Sequence, residues 1–277
     1  MTASPPIDER PSRTVLSADG TPIALFTSGT GPPLVLVHGA AADHTTFRVL
    51  GPLLASLFTI HAIDRRGRGA SGDTGRYAIE REFEDVAAVA TALARETGGS
   101  VDVFGHSYGG RCALGAALLS RDVGRVISYE GAPTPPGERY GDATLAAELA
   151  ALADAGENET LLMTFMTRVV GMTADDLDRY RADAVWPRRV AAAPTIAREI
   201  AVESGDEAGL DRLGAIHQPV LQVLGGDSRR EFRVATAALD DRLAAGTIVV
   251  VPGARHAAHH THPDALVEAV SVFLGPP

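Results

Sequence analysis

Gly105-His106-Ser107-Tyr108-Gly109 is the stretch that decides the fold of this 277-residue chain. The preceding residues 101–104 are β-branched and aromatic and predict a buried strand, whereas residues 110–119 predict a helix. A Gly-x-Ser-x-Gly motif between a strand and a helix is typical of a sharp turn that strains the serine backbone. Ser107 would then lie at a helix N-terminus, where backbone N–H groups and the helix dipole stabilise negative charge.

Two other motifs also follow predicted strands. Leu34-Val35-Leu36-Val37-His38-Gly39-Ala40 is an apolar run that ends in His-Gly, and Pro252-Gly253-Ala254-Arg255-His256 follows an apolar run at 247–251. Continuous apolar runs such as 34–37 and 58–63 are expected of parallel strands that are buried on both faces. Further strands are predicted at residues 101–104, 123–129 and 220–224, and an Asp-Gly turn predicts an opening hairpin of 14–17 with 22–26.

Helix-like stretches alternate with these strands at residues 45–57, 79–96 and 263–274. This alternation predicts an α/β fold with a mostly parallel, doubly wound sheet. It breaks between about residues 133 and 216, where only helices are predicted, at 142–155, 159–170, 174–184 and 196–203. We expect this segment to form a helical cap after the sixth strand, over the sheet edge where ligands bind. The predicted organisation is a core of 1–132 and 217–277 with a cap of 133–216.

The order of the three motifs resembles the α/β-hydrolase family, and the resemblance extends from about residue 13 to residue 275. It implies a capped serine hydrolase in which Ser107 is the nucleophile and His256 is the base that activates it. The backbone N–H groups of Tyr108 and Ala40 are then expected to form the oxyanion hole, and Gly39 is expected beside the substrate.

The acidic partner of His256 has two candidates. In many members of the family an aspartate follows the seventh strand, but the counted position here is Ser228, and Asp227 precedes it. Glu130, at the end of the sixth strand, is the alternative, because haloalkane dehalogenases and zearalenone lactonases carry the acid there. We favour Glu130, since a charged residue that ends a buried strand needs a partner.

Further side chains are candidates for binding or structural roles. Trp186 and Met166 lie in the predicted cap, and we expect them to contact the substrate. His259, His260 and His262 are expected to be structural, because neither cysteine nor paired carboxylates accompany them, so no metal is predicted. The segment from Asp64 to Ser71 resembles a family loop with an architectural role, and it lacks the ending of a phosphate-binding loop. The cap arginines Arg168, Arg188 and Arg189 are expected at the surface.

Composition limits the remaining possibilities. The net charge is −10, all basic residues are arginine, and no basic stripe is evident, which argues against nucleic acid or an anionic membrane as partner. No apolar stretch approaches the length of a transmembrane helix, and the first residues do not resemble a signal peptide. The single cysteine, Cys112, fits a reducing compartment. We therefore expect a cytoplasmic protein, monomeric or homodimeric, without a cofactor.

A serine, a histidine, a carboxylate and an oxyanion hole indicate acyl transfer through an acyl-enzyme. The predicted reaction is hydrolysis of an ester or lactone with a mostly apolar body, and the set with Trp186 is similar to the zearalenone lactonases. Two alternatives remain open. One is hydrolysis of a C–C bond in a vinylogous diketone, and the other is a small-molecule binding protein or receptor that turns over slowly.

Overall fold

The computed structural model describes residues 10–141, 144–202 and 209–275. Eight strands form one sheet in the order β1-β2-β4-β3-β5-β6-β7-β8, and only β2 runs antiparallel to its neighbours. The strands are β1 (Arg13–Leu16), β2 (Pro22–Ser28), β3 (Pro33–Val37), β4 (Thr59–Ile63), β5 (Val101–His106), β6 (Val123–Tyr129), β7 (Val220–Gly225) and β8 (Gly246–Val251). The predicted mostly parallel, doubly wound sheet with its opening hairpin is confirmed.

Helices cover both faces of the sheet. Their bounds are α1 (Leu50–Leu54), α2 (Ile79–Thr97), α3 (Tyr108–Leu119), α10 (Arg230–Asp240), α11 (Ala258–Thr261) and α12 (Pro263–Leu274). Along β3, Leu34 and Leu36 pack on the face covered by α1 and α12, and Val35 and Val37 pack on the face of α2 and α3. Every residue of the run is apolar because both faces are covered.

Within its described part, the segment between β6 and β7 contains helices and connecting turns but no strand. It contains α4 (Leu145–Asp154), α5 (Asn158–Phe165) with a π-helical continuation (Met166–Val170), α6 (Ala174–Arg181), α7 (Trp186–Ala192), α8 (Thr195–Val202) and α9 (Leu210–Leu213). We call residues 133–216 the cap segment. The first predicted residues of the 142–155 helix and the last of the 196–203 helix fall outside the described residues.

The helix predicted over 45–57 is wrong in its length. The chain instead forms a 3₁₀ turn at His44–Phe47 and the short α1 at Leu50–Leu54. Pro52 lies in the first turn of α1, where its missing N–H is tolerated, whereas a helix that continued from residue 45 would carry it in the interior.

The parallel strands place the site at one edge. Since β3 to β8 run in the same direction, the residues that follow β5, β6, β7 and β8 meet at the carboxyl edge of the sheet. Over the described ranges, none of the helices is both long and apolar enough to span a membrane.

Candidate active site

Ser107 lies in the turn between β5 and α3 with φ 55° and ψ −126°. A positive φ is strained for a residue with a side chain, and here the N–H of Ser107 donates to the carbonyl of Tyr129 at 2.7 Å. A Cβ on Gly105 would lie 2.3 Å from the carbonyl oxygen of Gly109, and one on Gly109 would lie 2.3 Å from that of His38. Both flanking positions therefore require glycine.

His256 and Glu130 form a short hydrogen bond near this turn. Nδ1 of His256 lies 2.5 Å from Oε2 of Glu130, and both side chains are buried. Glu130 directly follows β6 and also has a positive φ, 49°. The Phe232 ring stacks on the imidazole with 4.4 Å between ring centroids. These contacts hold the ring with Nδ1 towards the carboxylate and Nε2 turned away from it.

The second oxygen of Glu130 is held from β7 and the loop that follows it. Oε1 accepts hydrogen bonds from the Gly225 N–H at 2.8 Å and from the Ser228 hydroxyl at 2.5 Å. Asp227 is exposed, and among the described residues its carboxylate forms neither a hydrogen bond nor an ion pair with His256. The structure therefore brings Glu130, and not Asp227, to the histidine.

A cavity of about 40 Å³, which we call the inner cavity, lies beside Ser107 and His256. It is lined by Ala40 and Tyr108, the residues expected to form the oxyanion hole. A Cβ on Gly39 would lie 3.0 Å from the Ser107 Cβ, so the Gly39 backbone packs against Ser107. The rest of the wall is mainly apolar and includes Ala132, Tyr140, Phe165, Val169, Val170, Ile200 and Phe232.

Two buried charged side chains, Arg111 and Glu199, also line the inner cavity. Glu199 belongs to α8 of the cap segment and pairs with Arg65 and Arg68 of the core. Neither Arg111 nor Glu199 is among the site residues predicted from the sequence. On sequence alone Glu199 looks like any solvent-facing glutamate of an amphipathic helix, so no signal could have found it.

A larger outer cavity of about 700 Å³ adjoins the inner one. Val170, Phe232 and His256 line both, so His256 borders each of the two spaces. The outer wall carries many charged and polar side chains, among them Arg48, Asp175, Asp176, Arg179, Asp183, Arg255, His260 and His262.

Trp186 and Met166 lie in the cap segment but line neither of these cavities. The Trp186 Nε1 donates to Glu159 at 3.3 Å, and the indole packs edge-on against Tyr180 with 5.5 Å between centroids. Met166 is buried among the apolar residues of the cap and core. The structure does not bring these two predicted substrate contacts to either cavity, because Trp186 packs against other cap residues and Met166 packs among apolar residues of the cap and core.

The loop before Ala40 is anchored by His38. Its Nδ1 donates to the Gly39 carbonyl at 2.9 Å, and its Nε2 accepts from the Arg65 N–H at 3.0 Å. Burial, together with the positive charges of Arg65 and Arg68, holds the pKa of His38 well below its ordinary value. A neutral imidazole is what this pattern of one donor and one acceptor requires.

Three further histidines form a packed cluster next to His256. His106 donates from Nε2 to the carbonyl of His256 at 2.8 Å, and its ring centroid lies 4.2 Å from that of His259. His260 packs on His259 at the same distance. Burial lowers the pKa of His106 and His259, and burial with the charge of Arg48 lowers that of His260 to about 3.

The three cap arginines differ in environment. Arg168 pairs with Glu148, and Arg188 pairs with Asp43 at 2.6 Å. Arg189 is only 1% exposed, and within the described part of the chain its side-chain nitrogens have no hydrogen-bond partner. The prediction of a surface position is therefore wrong for Arg189, whose helix α7 packs this side chain against the core.

Asp43, His44 and Asp64 form the one set of potential metal ligands found among the described residues. Their atoms are already engaged: His44 Nδ1 lies 2.8 Å from Asp64, Asp64 also accepts from the Ala70 N–H at 2.8 Å, and Asp43 caps the turn at Thr45. This set ties together the loops after β3 and β4.

Known proteins agree with this architecture. A 2-(acetamidomethylene)succinate hydrolase of Mesorhizobium japonicum is 28% identical over 255 residues, which is 89% of each chain. A pimeloyl-[acyl-carrier protein] methyl ester esterase of Aeromonas hydrophila is 27% identical over 257 residues, 89% of this chain and 97% of the relative. The crystal structure of an alpha/beta hydrolase from Sphaerobacter thermophilus has a TM-score of 0.80 and 33% identity, covering 95% of this chain and all of that one.

The family model described as the alpha/beta hydrolase family matches residues 34–269, which include the Ser107 turn, Glu130 and His256. The sheet order, the helical segment after β6 and the strained serine turn are all in place. This chain belongs to the alpha/beta hydrolase family of enzymes.

Proposed function

We propose that this protein is a serine hydrolase that cleaves carboxylic esters or lactones with a mostly apolar body through an acyl-enzyme. The observation that carries the proposal is the 2.5 Å contact between His256 and Glu130 next to a serine held at positive φ. Such a contact fixes the tautomer of the histidine and stabilises its charged form.

The reaction follows from these groups. His256 takes the proton of the Ser107 hydroxyl as its oxygen attacks the carbonyl, and Glu130 stabilises the imidazolium that forms. The N–H groups of Ala40 and Tyr108 bind the oxyanion. His256 then donates the proton to the leaving alcohol, and water releases the acid from Ser107 by the same steps.

The two cavities suggest where the acyl and alcohol parts of the substrate bind. The inner cavity of about 40 Å³ holds a small, mainly apolar acyl group, and the outer cavity of about 700 Å³ has room for the alcohol part or the rest of a ring. The names of two relatives, a methyl ester esterase and a succinate-derivative hydrolase, are compatible with hydrolysis at an acyl carbon.

The C–C hydrolase hypothesis calls for cap arginines that are open to a substrate carboxylate. Arg168 and Arg188 are instead paired with Glu148 and Asp43, and Arg189 is buried. Arg179 of α6 lines the outer cavity but is paired with Asp176 at 2.6 Å. Ester or lactone hydrolysis is therefore the function to test first.

The test is hydrolysis of p-nitrophenyl esters from acetate to decanoate, together with a panel of macrolactones. Ser107→Ala should abolish turnover, and Glu130→Gln should lower kcat by about 10⁴-fold, as loss of the triad acid does elsewhere. Asp227→Asn is the matched control and should leave kcat unchanged. If Asp227→Asn is the damaging change, the assignment of the acid is wrong.

A second readout separates an enzyme from a slow receptor. A fluorophosphonate should label the parent at Ser107, as seen by intact mass, and should not label Ser107→Ala. Suppose that the fluorophosphonate labels Ser107, but each ester gives only a burst of one equivalent of p-nitrophenol per protein and no steady turnover. This result would favour the slow-turnover binding protein.

A further inference from the structure

Glu199 lines the inner cavity and also connects the cap segment to the core through ion pairs. It lies on α8 and is 1% exposed. Its Oε1 accepts a hydrogen bond from Arg65 at 2.6 Å and a second, shorter one from Arg68. Both arginines follow β4, so a single carboxylate oxygen ties the cap segment to the loop beneath it.

The other oxygen of the Glu199 carboxylate lacks a hydrogen-bond partner among the described residues. Over the residues that the structure describes, Oε2 of Glu199 is buried and accepts no hydrogen bond. Leaving a buried carboxylate oxygen without a donor costs free energy that water or a ligand would otherwise recover. Glu199 lines the same cavity as Ser107 and Tyr108, so a ligand donor that enters the cavity and displaces its wall slightly would recover it.

The arginines determine which oxygen faces them. A guanidinium group only donates, so Arg65 and Arg68 fix the acceptor Oε1 in place and leave Oε2 as the free acceptor. Glu82 completes the cluster, with Arg65 bound to both of its oxygens at 2.7 and 2.8 Å. The two arginines and two glutamates of this cluster have opposite and equal charges. Oε2 therefore needs a hydrogen-bond donor but no additional positive charge.

The surroundings make this acceptor selective. Phe165, Val169 and Ile200 of the cap segment line the cavity with it. We propose that Glu199 is a specificity-determining residue whose Oε2 accepts a hydrogen bond from a hydroxyl or amide N–H on the acyl part of the substrate. The inference rests on the proposed ester or lactone hydrolysis and adds the substrate class, namely acyl groups that carry an uncharged hydrogen-bond donor.

The test compares p-nitrophenyl esters in pairs that differ only by hydroxyl against methyl, at carbon 2, 3 or 4 of the acyl chain. A hydrogen bond to a charged group predicts that the hydroxy ester has the higher kcat/KM, by about tenfold or more, at one of these positions. Ratios near one at all three positions would overturn the proposal, because water alone would then satisfy Oε2.

Glu199→Gln reverses the polarity of the group. Because the arginines accept nothing, the amide oxygen should stay with them and the NH₂ should face the cavity. The preference for the hydroxy ester should then disappear. A methoxy ester, whose oxygen can only accept a hydrogen bond, should have a higher kcat/KM with Glu199→Gln than with the parent. Glu148→Gln is the matched control, since it removes a cap carboxylate that lines neither cavity. It should keep the parent ratio.

Calorimetric binding to Ser107→Ala separates the two proposals. If no ester is cleaved by the parent, the proposed hydrolysis fails, but the same ester pairs still report on Glu199. Tighter binding of the hydroxy ester to Ser107→Ala, lost in Ser107→Ala/Glu199→Gln, supports the acceptor. Equal affinities for the two esters overturn it. Melting temperatures of all variants confirm that they are folded.

Discussion

The Ser228 hydroxyl donates to Oε1 of Glu130 at 2.5 Å, while Oε2 of the same carboxylate lies 2.5 Å from Nδ1 of His256. Ser228 occupies the position after β7 where the family resemblance implied an aspartate. Two neighbouring strands therefore contribute to the proposed triad acid. The residue after β6 supplies the negative charge, and the loop after β7 supplies a donor that orients it.

Removal of that donor should affect catalysis more than binding. In Ser228→Ala, Glu130 loses a charge-assisted hydrogen bond of about 1.5–3 kcal/mol, so kcat should fall by about tenfold or more with little change in KM. Steady-state kinetics on a cleaved ester measures both constants.

The double variant Glu130→Gln/Ser228→Ala provides the control for this prediction. If Ser228 acts through Glu130, the double variant should be no slower than Glu130→Gln alone, because residues that act as one unit are not additive. Independent, multiplicative losses would show that Ser228 has a separate role.

Trp186→Phe tests the substrate contact that the sequence suggested. Since the indole packs on Tyr180 and Glu159 and lines neither cavity, kcat/KM should change by no more than about twofold. Phe165→Ala is the contrasting variant, because Phe165 lines the inner cavity, and it should change the preference for acyl chain length. A loss of turnover in Trp186→Phe with Phe165→Ala unaffected would favour the sequence-based expectation.

How well the sequence predicts a feature depends on how local that feature is. Ser107, His256 and Glu130 each follow an apolar run, so a strand pattern and chain order are enough to propose them. The direction of Trp186 and the burial of Arg189 depend on how the cap helices pack against one another, which no periodicity encodes. Glu199 is recognisable only once the arginines after β4 lie beneath it.

The buried ion cluster should be far more important for stability than a surface pair on the same helix. Glu82 is 1% exposed and binds Arg65 through both oxygens. Glu82→Gln leaves the buried guanidinium groups of Arg65 and Arg68 to share the single charge of Glu199, and it should lower the free energy of unfolding by about 3–5 kcal/mol. Glu84→Gln, which breaks a partly exposed pair with Arg81, should change it by no more than about 0.5 kcal/mol. Urea titrations measure both, and equal effects would contradict the cluster's role.

The buried histidines should make the fold sensitive to acid. Burial holds the folded-state pKa of His38, His106 and His259 well below the ordinary 6.5, and burial with Arg48 places that of His260 at about 3. Below pH 6.5 the unfolded chain therefore binds protons that the folded chain does not. The free energy of unfolding should have its full value above pH 6.5 and should fall as the pH decreases. The loss due to His260 should continue until about pH 3, where its ring takes up a proton in the folded chain.

The contribution of a single histidine, His260, to this pH dependence of stability can be measured. Each such histidine contributes about 1.4 kcal/mol per pH unit once the unfolded form is protonated, so at pH 5 one ring costs about 2 kcal/mol. His260→Gln should lower the slope of unfolding free energy against pH between 6 and 4 by about one proton. Urea titrations at several pH values measure the slope, and an unaltered slope in His260→Gln would mean that its ring takes up a proton in the folded protein.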